Sequence, residues 1–143
     1  MFSSEIYKKA VRRYLESMGF IQTTDSYTEG HLADMIFYNR DIESGREFWI
    51  EAKASEIGLN DKNFCREILR LLHIWISLKE ERRFKLMIFL QGASKITKWN
   101  LVFGEPINRE FIDEWLSKNK SALSEGDWKS ISSAPKDIVY SFF

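Results

Sequence analysis

Apolar positions fall at helical spacing near the N-terminus, at strand-like spacing through the middle, and at helical spacing again beyond residue 61. Between Ser4 and Met18, the residues Ile6, Ala10, Tyr14 and Met18 recur every four positions beside Tyr7, Val11 and Leu15. This spacing predicts a helix with one wide apolar face. Ser3 or Ser4 can cap its first turn, and Gly19 stops it. A short strand is expected at Phe20 to Thr24, then a polar loop from Asp25 to Gly30. A second strand follows at about Leu32 to Tyr38, "LADMIFY", with Asp34 near its start. The turn chemistry of "NRDIESG", residues 39–45, joins it as a hairpin to a third strand through "REFWIEAKAS", residues 46–55.

The third strand carries the pattern that most needs explaining. Phe48, Trp49 and Ile50 are apolar, and Glu51 and Lys53 follow immediately. Side chains alternate faces along a strand, so Glu51 and Lys53 point one way and Ala52 the other. Opposite charges at the end of an otherwise buried strand are costly unless something uses them.

Beyond a loop ending at Asn60 or Asp61, either of which can be an N-cap, a long helix is predicted to about Leu78. Phe64, Ile68, Leu71, Leu72 and Trp75 cover more than one stripe of it. It is therefore expected to pack on the sheet and also on something else, either the C-terminal segment or a second copy of the chain in a homodimer. "FKLMIFL", residues 84–90, is the most continuously apolar stretch and is expected to be a central buried strand, entered by a right-handed parallel crossover. A further strand is expected at Lys98 to Phe103. Phe111, Ile112, Trp115 and Leu116 mark a short helix capped by Asn108. From Ser121 onward the pattern assigns little. The elements in order predict one α/β domain over residues 1–143, with a core at about 4–91 and C-terminal additions, a strand and a helix, at about 98–143.

Composition narrows the chemistry. Lys plus Arg equals Asp plus Glu at 21 each, so nucleic-acid binding has to rest on a local patch. The single cysteine, Cys65, excludes an intramolecular disulfide framework and a cysteine-based zinc site, and is expected to be a small buried residue. The two histidines lie too far apart in sequence for a zinc pattern, and there is neither a glycine-rich phosphate loop nor a Gly-x-Ser-x-Gly elbow. No signal-peptide pattern or membrane-length apolar run occurs, so a soluble, cytoplasmic protein is the expectation.

Asp34 on the second strand, Glu51-Ala52-Lys53 on the third, and the long helix and apolar strand after them resemble the PD-(D/E)XK superfamily, the restriction-endonuclease-like nucleases. The first helix, ending in Met18-Gly19-Phe20, is similar to the opening of the archaeal Holliday-junction resolvase branch. The resemblance covers about the first two-thirds of the chain as an order of elements. It implies an αβββαβ core with a mixed central sheet flanked by helices, and a metal-dependent endonuclease that hydrolyses phosphodiester bonds in DNA. Asp34 and Glu51 would supply carboxylates, and Ala52 its backbone carbonyl, to Mg²⁺ or Mn²⁺, which take oxygen ligands. Lys53 would position the attacking water or counter charge on the phosphate.

The resemblance also implies a metal-reaching glutamate on the first helix. Glu5, fourteen residues before Gly19, is the candidate, although the count from Met18-Gly19-Phe20 falls nearer Lys8. A first-turn glutamate that complements the helix dipole is the alternative. Lys8, Lys9, Arg12 and Arg13, with Arg66 and Arg70 on the long helix, are candidate phosphate contacts, or equally solvated helix faces. His31, His73 and Gln91 are weaker candidates. Two other functions stay open: a non-catalytic nucleic-acid-binding module on the same fold, and an oligomeric scaffold in which Glu51 and Lys53 form a structural ion pair.

Overall fold

The computed structural model describes residues 4–23, 33–92 and 96–143. It is a mixed α/β structure whose chain divides into two compact units, Met1–Ile57 with Lys79–Ala93, and Gly58–Leu78 with Ser94–Phe143.

The first unit holds helix α1 (Ser4–Ser17) and strands β1 (Ile21–Gln22), β2 (Met35–Asn39), β3 (Glu43–Lys53) and β4 (Lys85–Leu90). The strands form one mixed sheet in the order β1-β2-β3-β4, antiparallel except for the parallel β3/β4 pair. Alternation divides β3 as the sequence predicts. Phe48, Ile50 and Ala52 join Met35 and Phe37 of β2 in a core closed by Val11 and Leu15 of α1, while Trp49, Glu51 and Lys53 take the opposite face. Trp49 there stacks on Phe84, with ring centroids 3.9 Å apart.

At the end of α1, Gly19 takes φ +90°, and the N–H of Phe20 reaches back to the Leu15 carbonyl at 3.0 Å, which satisfies a carbonyl the helix leaves open. The apolar face of α1 is narrower than expected. Val11 and Leu15 are buried, whereas Ile6, Tyr14 and Met18 are more than half exposed. One stripe of a helix suffices to cover so small a sheet.

The hairpin turn is also shorter than its composition suggests, because Glu43 already pairs with Asn39. The register then slips between Tyr38 and Asn39, so that Tyr38 faces Glu47, and the extra residues of β3 include Gly45 at φ +81°. Strand β4 is the second correction. It lies at an edge of the four-stranded sheet rather than in its centre, and Leu86 to Leu90 are half-buried.

The second unit is helical: α2 (Lys62–Ser77), α3 (Ile96–Phe103), α4 (Arg109–Lys118), α5 (Glu125–Ser133) and α6 (Lys136–Phe142). Three of these start on side-chain caps. Asp61 accepts from the Phe64 N–H, Asn108 from that of Phe111 and Ser124 from that of Asp127, each satisfying a donor of the first turn. The strand expected at Lys98 to Phe103 is instead the body of α3. Trp99, Val102 and Phe103 are spaced at i, i+3 and i+4, and Trp99 and Phe103 both meet Phe64 edge-on, whereas on a strand the two would stand about 13 Å apart. The C-terminal addition is therefore all helix.

The apolar residues of α2 are buried within the chain. Phe64 meets Trp99 and Phe103, Trp75 meets Phe142 of α6, and α2 also packs on α5. The C-terminal segment thus covers the surface that had suggested a homodimer through this helix. Among the described residues, no helix is long and apolar enough to cross a membrane.

Candidate functional site

Asp34 lies just before β2, where the ladder to β3 ends. Its N–H still donates to the Ile50 carbonyl at 3.1 Å, and its Oδ2 accepts from the Ala52 N–H at 2.8 Å. The carboxylate thus accepts from a strand amide as a backbone carbonyl does within a ladder. Because the N–H and C=O of a strand residue point to the same side, the Ala52 carbonyl faces the side from which Asp34 approaches. The second and third strands are therefore tied together at the residues the sequence singles out.

The Lys53 Nζ stands 3.9 Å from Glu51 Oε2 on their shared face. The Glu51 side chain is only 5% exposed, against 23% for Lys53. Glu51 is the one buried acidic residue among the described residues, so the cost inferred from sequence is real. The Lys53 carbonyl accepts from the Gln91 N–H at 3.0 Å, which extends the β3/β4 ladder past the triplet; the Gln91 side chain is exposed.

A cleft of about 370 Å³ opens at this end of the sheet, lined by Ser4, Lys8, Asp34, Ala52, Lys53, Ala54 and Ser55. Asp34 and Lys53 are thus brought to one cavity, with Ala52 between them. Glu51 does not line it. Glu5 is exposed on the first turn of α1 and does not line it either, so the helix glutamate of the resemblance has no counterpart there. Lys8 does line the cleft. It stands one turn further along α1, with its Nζ 3.5 Å from Asp34 Oδ1. Counting back from Gly19 pointed to this residue, but its charge made it look like part of a basic helix face.

The remaining candidates are scattered. Lys9 and Arg13 are exposed on α1, and Arg12 pairs with Glu16 at 4.0 Å. Arg66 and Arg70 are exposed on α2 in the second unit, where His73 faces Asp127 at 3.6 Å. His31 falls outside the described residues. Ser4, named in the sequence only as a candidate helix cap, and Ser55, only as the last residue of the third strand, had no functional signal there. Cys65 is buried and its thiol donates to the Leu59 carbonyl at 3.4 Å; burial, with a smaller contribution from Asp61, pushes it up to about 12.

Among the described residues, no three His, Cys, Asp or Glu side chains gather closely enough to share a cation. Of the expected oxygen donors, the Asp34 carboxylate and Ala52 line the cleft and Glu51 does not; one carboxylate beside a backbone carbonyl is a set Mg²⁺ can use, because this ion takes few protein ligands and keeps several waters. Comparison with protein-family models, with curated proteins and with solved structures gives no match.

Proposed function

We propose that the chain carries a restriction-endonuclease-like nuclease site, which hydrolyses phosphodiester bonds in DNA with the aid of Mg²⁺ or Mn²⁺. The observation that carries this reading is the hydrogen bond from the Ala52 N–H to Asp34 Oδ2, at 2.8 Å. It ties Asp34 to the Glu51-Ala52-Lys53 strand at the mouth of a cleft that both Asp34 and Lys53 line. Asp34, Glu51 and the Ala52 carbonyl would hold the cation, which supplies Lewis-acid stabilisation of phosphate charge and eases deprotonation of water.

The protein's own groups do the rest. The Ala52 N–H fixes the Asp34 carboxylate, so its orientation costs nothing when substrate arrives. Glu51 holds the Lys53 ammonium at 3.9 Å, at the end of a strand whose backbone is locked by its neighbours on both sides. From there the ammonium can donate to a non-bridging phosphate oxygen or to the attacking water. A strand end held by packing is a better platform for such a group than a loop.

A second reading has its own observation. Each carboxylate already faces a lysine, Asp34 with Lys8 and Glu51 with Lys53. That arrangement also suits a non-catalytic module that binds phosphates through its lysines. Incubation of plasmid, single-stranded and branched DNA with Mg²⁺ or Mn²⁺ separates the two, with Asp34→Ala and Lys53→Ala as controls. Cleavage lost in both variants supports the nuclease. Salt-dependent binding with no cleavage by the unaltered protein supports the module.

A further inference from the structure

Resting on the divalent-cation reading of the cleft, we propose that Lys8 competes with the cation for Asp34 and, once displaced, becomes a contact for the substrate's phosphate. The two oxygens of Asp34 are not equivalent. Oδ2 is engaged by the Ala52 N–H at 2.8 Å, which leaves Oδ1 as the oxygen better able to take a cation. The Lys8 ammonium stands 3.5 Å from that atom. An ammonium and a divalent ion cannot both stay beside one carboxylate oxygen without strong mutual repulsion.

The pair is built to open. The Lys8 and Asp34 side chains are 31% and 20% exposed, so water screens their attraction and can replace either partner. The flexible stem of Lys8 lets the ammonium swing while remaining in the cleft, which Lys53 also lines. Two lysines lining one cleft then match the dispersed negative charge of a phosphodiester. A phosphate that draws Lys8 away frees Oδ1, so cation and nucleic acid favour each other's binding, and the coupling is reciprocal.

The test is calorimetric titration of the full chain with Mn²⁺, free of nucleic acid, comparing the unaltered protein with Lys8→Gln, Lys8→Ala and the charge-keeping Lys8→Arg. Glutamine is a good helix former, so Lys8→Gln keeps α1 even where alanine perturbs the cleft. The expected result is Mn²⁺ binding about two- to fivefold tighter in Lys8→Gln and Lys8→Ala, the size of a partly exposed ion pair that no longer has to break, and unchanged in Lys8→Arg. Loss of structure alone would weaken binding, not tighten it. Equal or weaker binding in the charge-removing variants overturns the role of Lys8 and leaves the cation site standing. No Mn²⁺ binding by any of the four proteins overturns the cation reading and this inference with it. For a duplex oligonucleotide, Lys8→Gln lowers the slope of log affinity against log salt by about one. An unchanged slope rejects the phosphate contact.

Discussion

Glu51→Gln is expected to cost almost no stability, whereas Lys53→Met, which leaves the carboxylate in place, is expected to cost a good deal. The two charges lie 3.9 Å apart, and at an effective dielectric of about 20 their attraction is about 4 kcal/mol. Against it stands a desolvation penalty of several kcal/mol per ion, which falls mainly on Glu51, the side chain that is only 5% exposed. The two terms nearly cancel. The glutamine variant removes both while keeping the shape, so it should stay within about 1 kcal/mol of the unaltered protein, on either side. Lys53→Met removes only the attraction. Breaking a fully buried pair costs about 3–5 kcal/mol, and the partial exposure of Lys53 reduces this to about 2 kcal/mol. Urea denaturation followed by tryptophan fluorescence measures the difference as a shift in midpoint at constant slope. If Glu51→Gln destabilises as much as Lys53→Met, the carboxylate is an anchor of the sheet, and the argument that its charge is kept for use rather than for stability is wrong.

Other expectations follow from the second unit. Because burial raises the Cys65 thiol from 9.0 to about 12, its thiolate fraction at pH 8 is about a thousandfold below that of an unperturbed thiol. A thiol reagent should label it only after denaturation, and fast labelling of the native protein would contradict its burial. The raised value also sets a sign: the native state holds this proton more tightly than the unfolded chain. The resulting stability is present below about pH 9 and is lost as pH rises toward about 12. The Tyr140 hydroxyl donates to both oxygens of Asp113, at 2.8 and 2.9 Å, so Tyr140→Phe should lower stability by about 1 kcal/mol in the same denaturation assay. No change would mean that water replaces the bond at no cost. A Cβ at Gly104 would lie 2.5 Å from the Asn100 carbonyl oxygen, where α3 ends. Gly104→Ala should therefore cost about 1–3 kcal/mol, and a neutral result would show that the helix end can open freely.

The sheet was legible because its local signals agree with one another. "LADMIFY" and "REFWIEAKAS" alternate around a turn-rich joint, and a helix-length segment before "FKLMIFL" requires a parallel return. Where the sequence misled, two periods fitted the same residues. "KWNLVF" is apolar enough for a strand, and only the company of Phe64 and Trp115 selects the helix. Helices α5 and α6 have 9 and 7 residues, too few for a period to stand out, and rest on isolated anchors such as Ile131 and Phe142. Strand β4 has apolar residues on both faces, and its sequence does not disclose that it lies at an edge.

At the site, Asp34, Ala52 and Lys53 were visible because strand spacing fixes which residues share a face or an end. Lys8 was legible as one charge of a basic helix face and as the position nearest the count from Met18-Gly19-Phe20, but its pairing with Asp34 depends on where α1 meets the end of β2, a tertiary fact with no local signature. Its identity also works against discovery: a lysine among Lys9, Arg12 and Arg13 looks like one more solvated charge.

The most direct test of the nuclease account is a single-turnover hydrolysis assay on end-labelled DNA, run with Mg²⁺, with Mn²⁺ and with chelator, for the unaltered protein, Asp34→Asn and Lys53→Ala. The account predicts cation-dependent strand cleavage, lost with chelator and reduced by about a hundredfold or more in each variant. Cleavage that persists undiminished in both variants, or none at all by the unaltered protein on duplex, single-stranded and branched substrates, would contradict it.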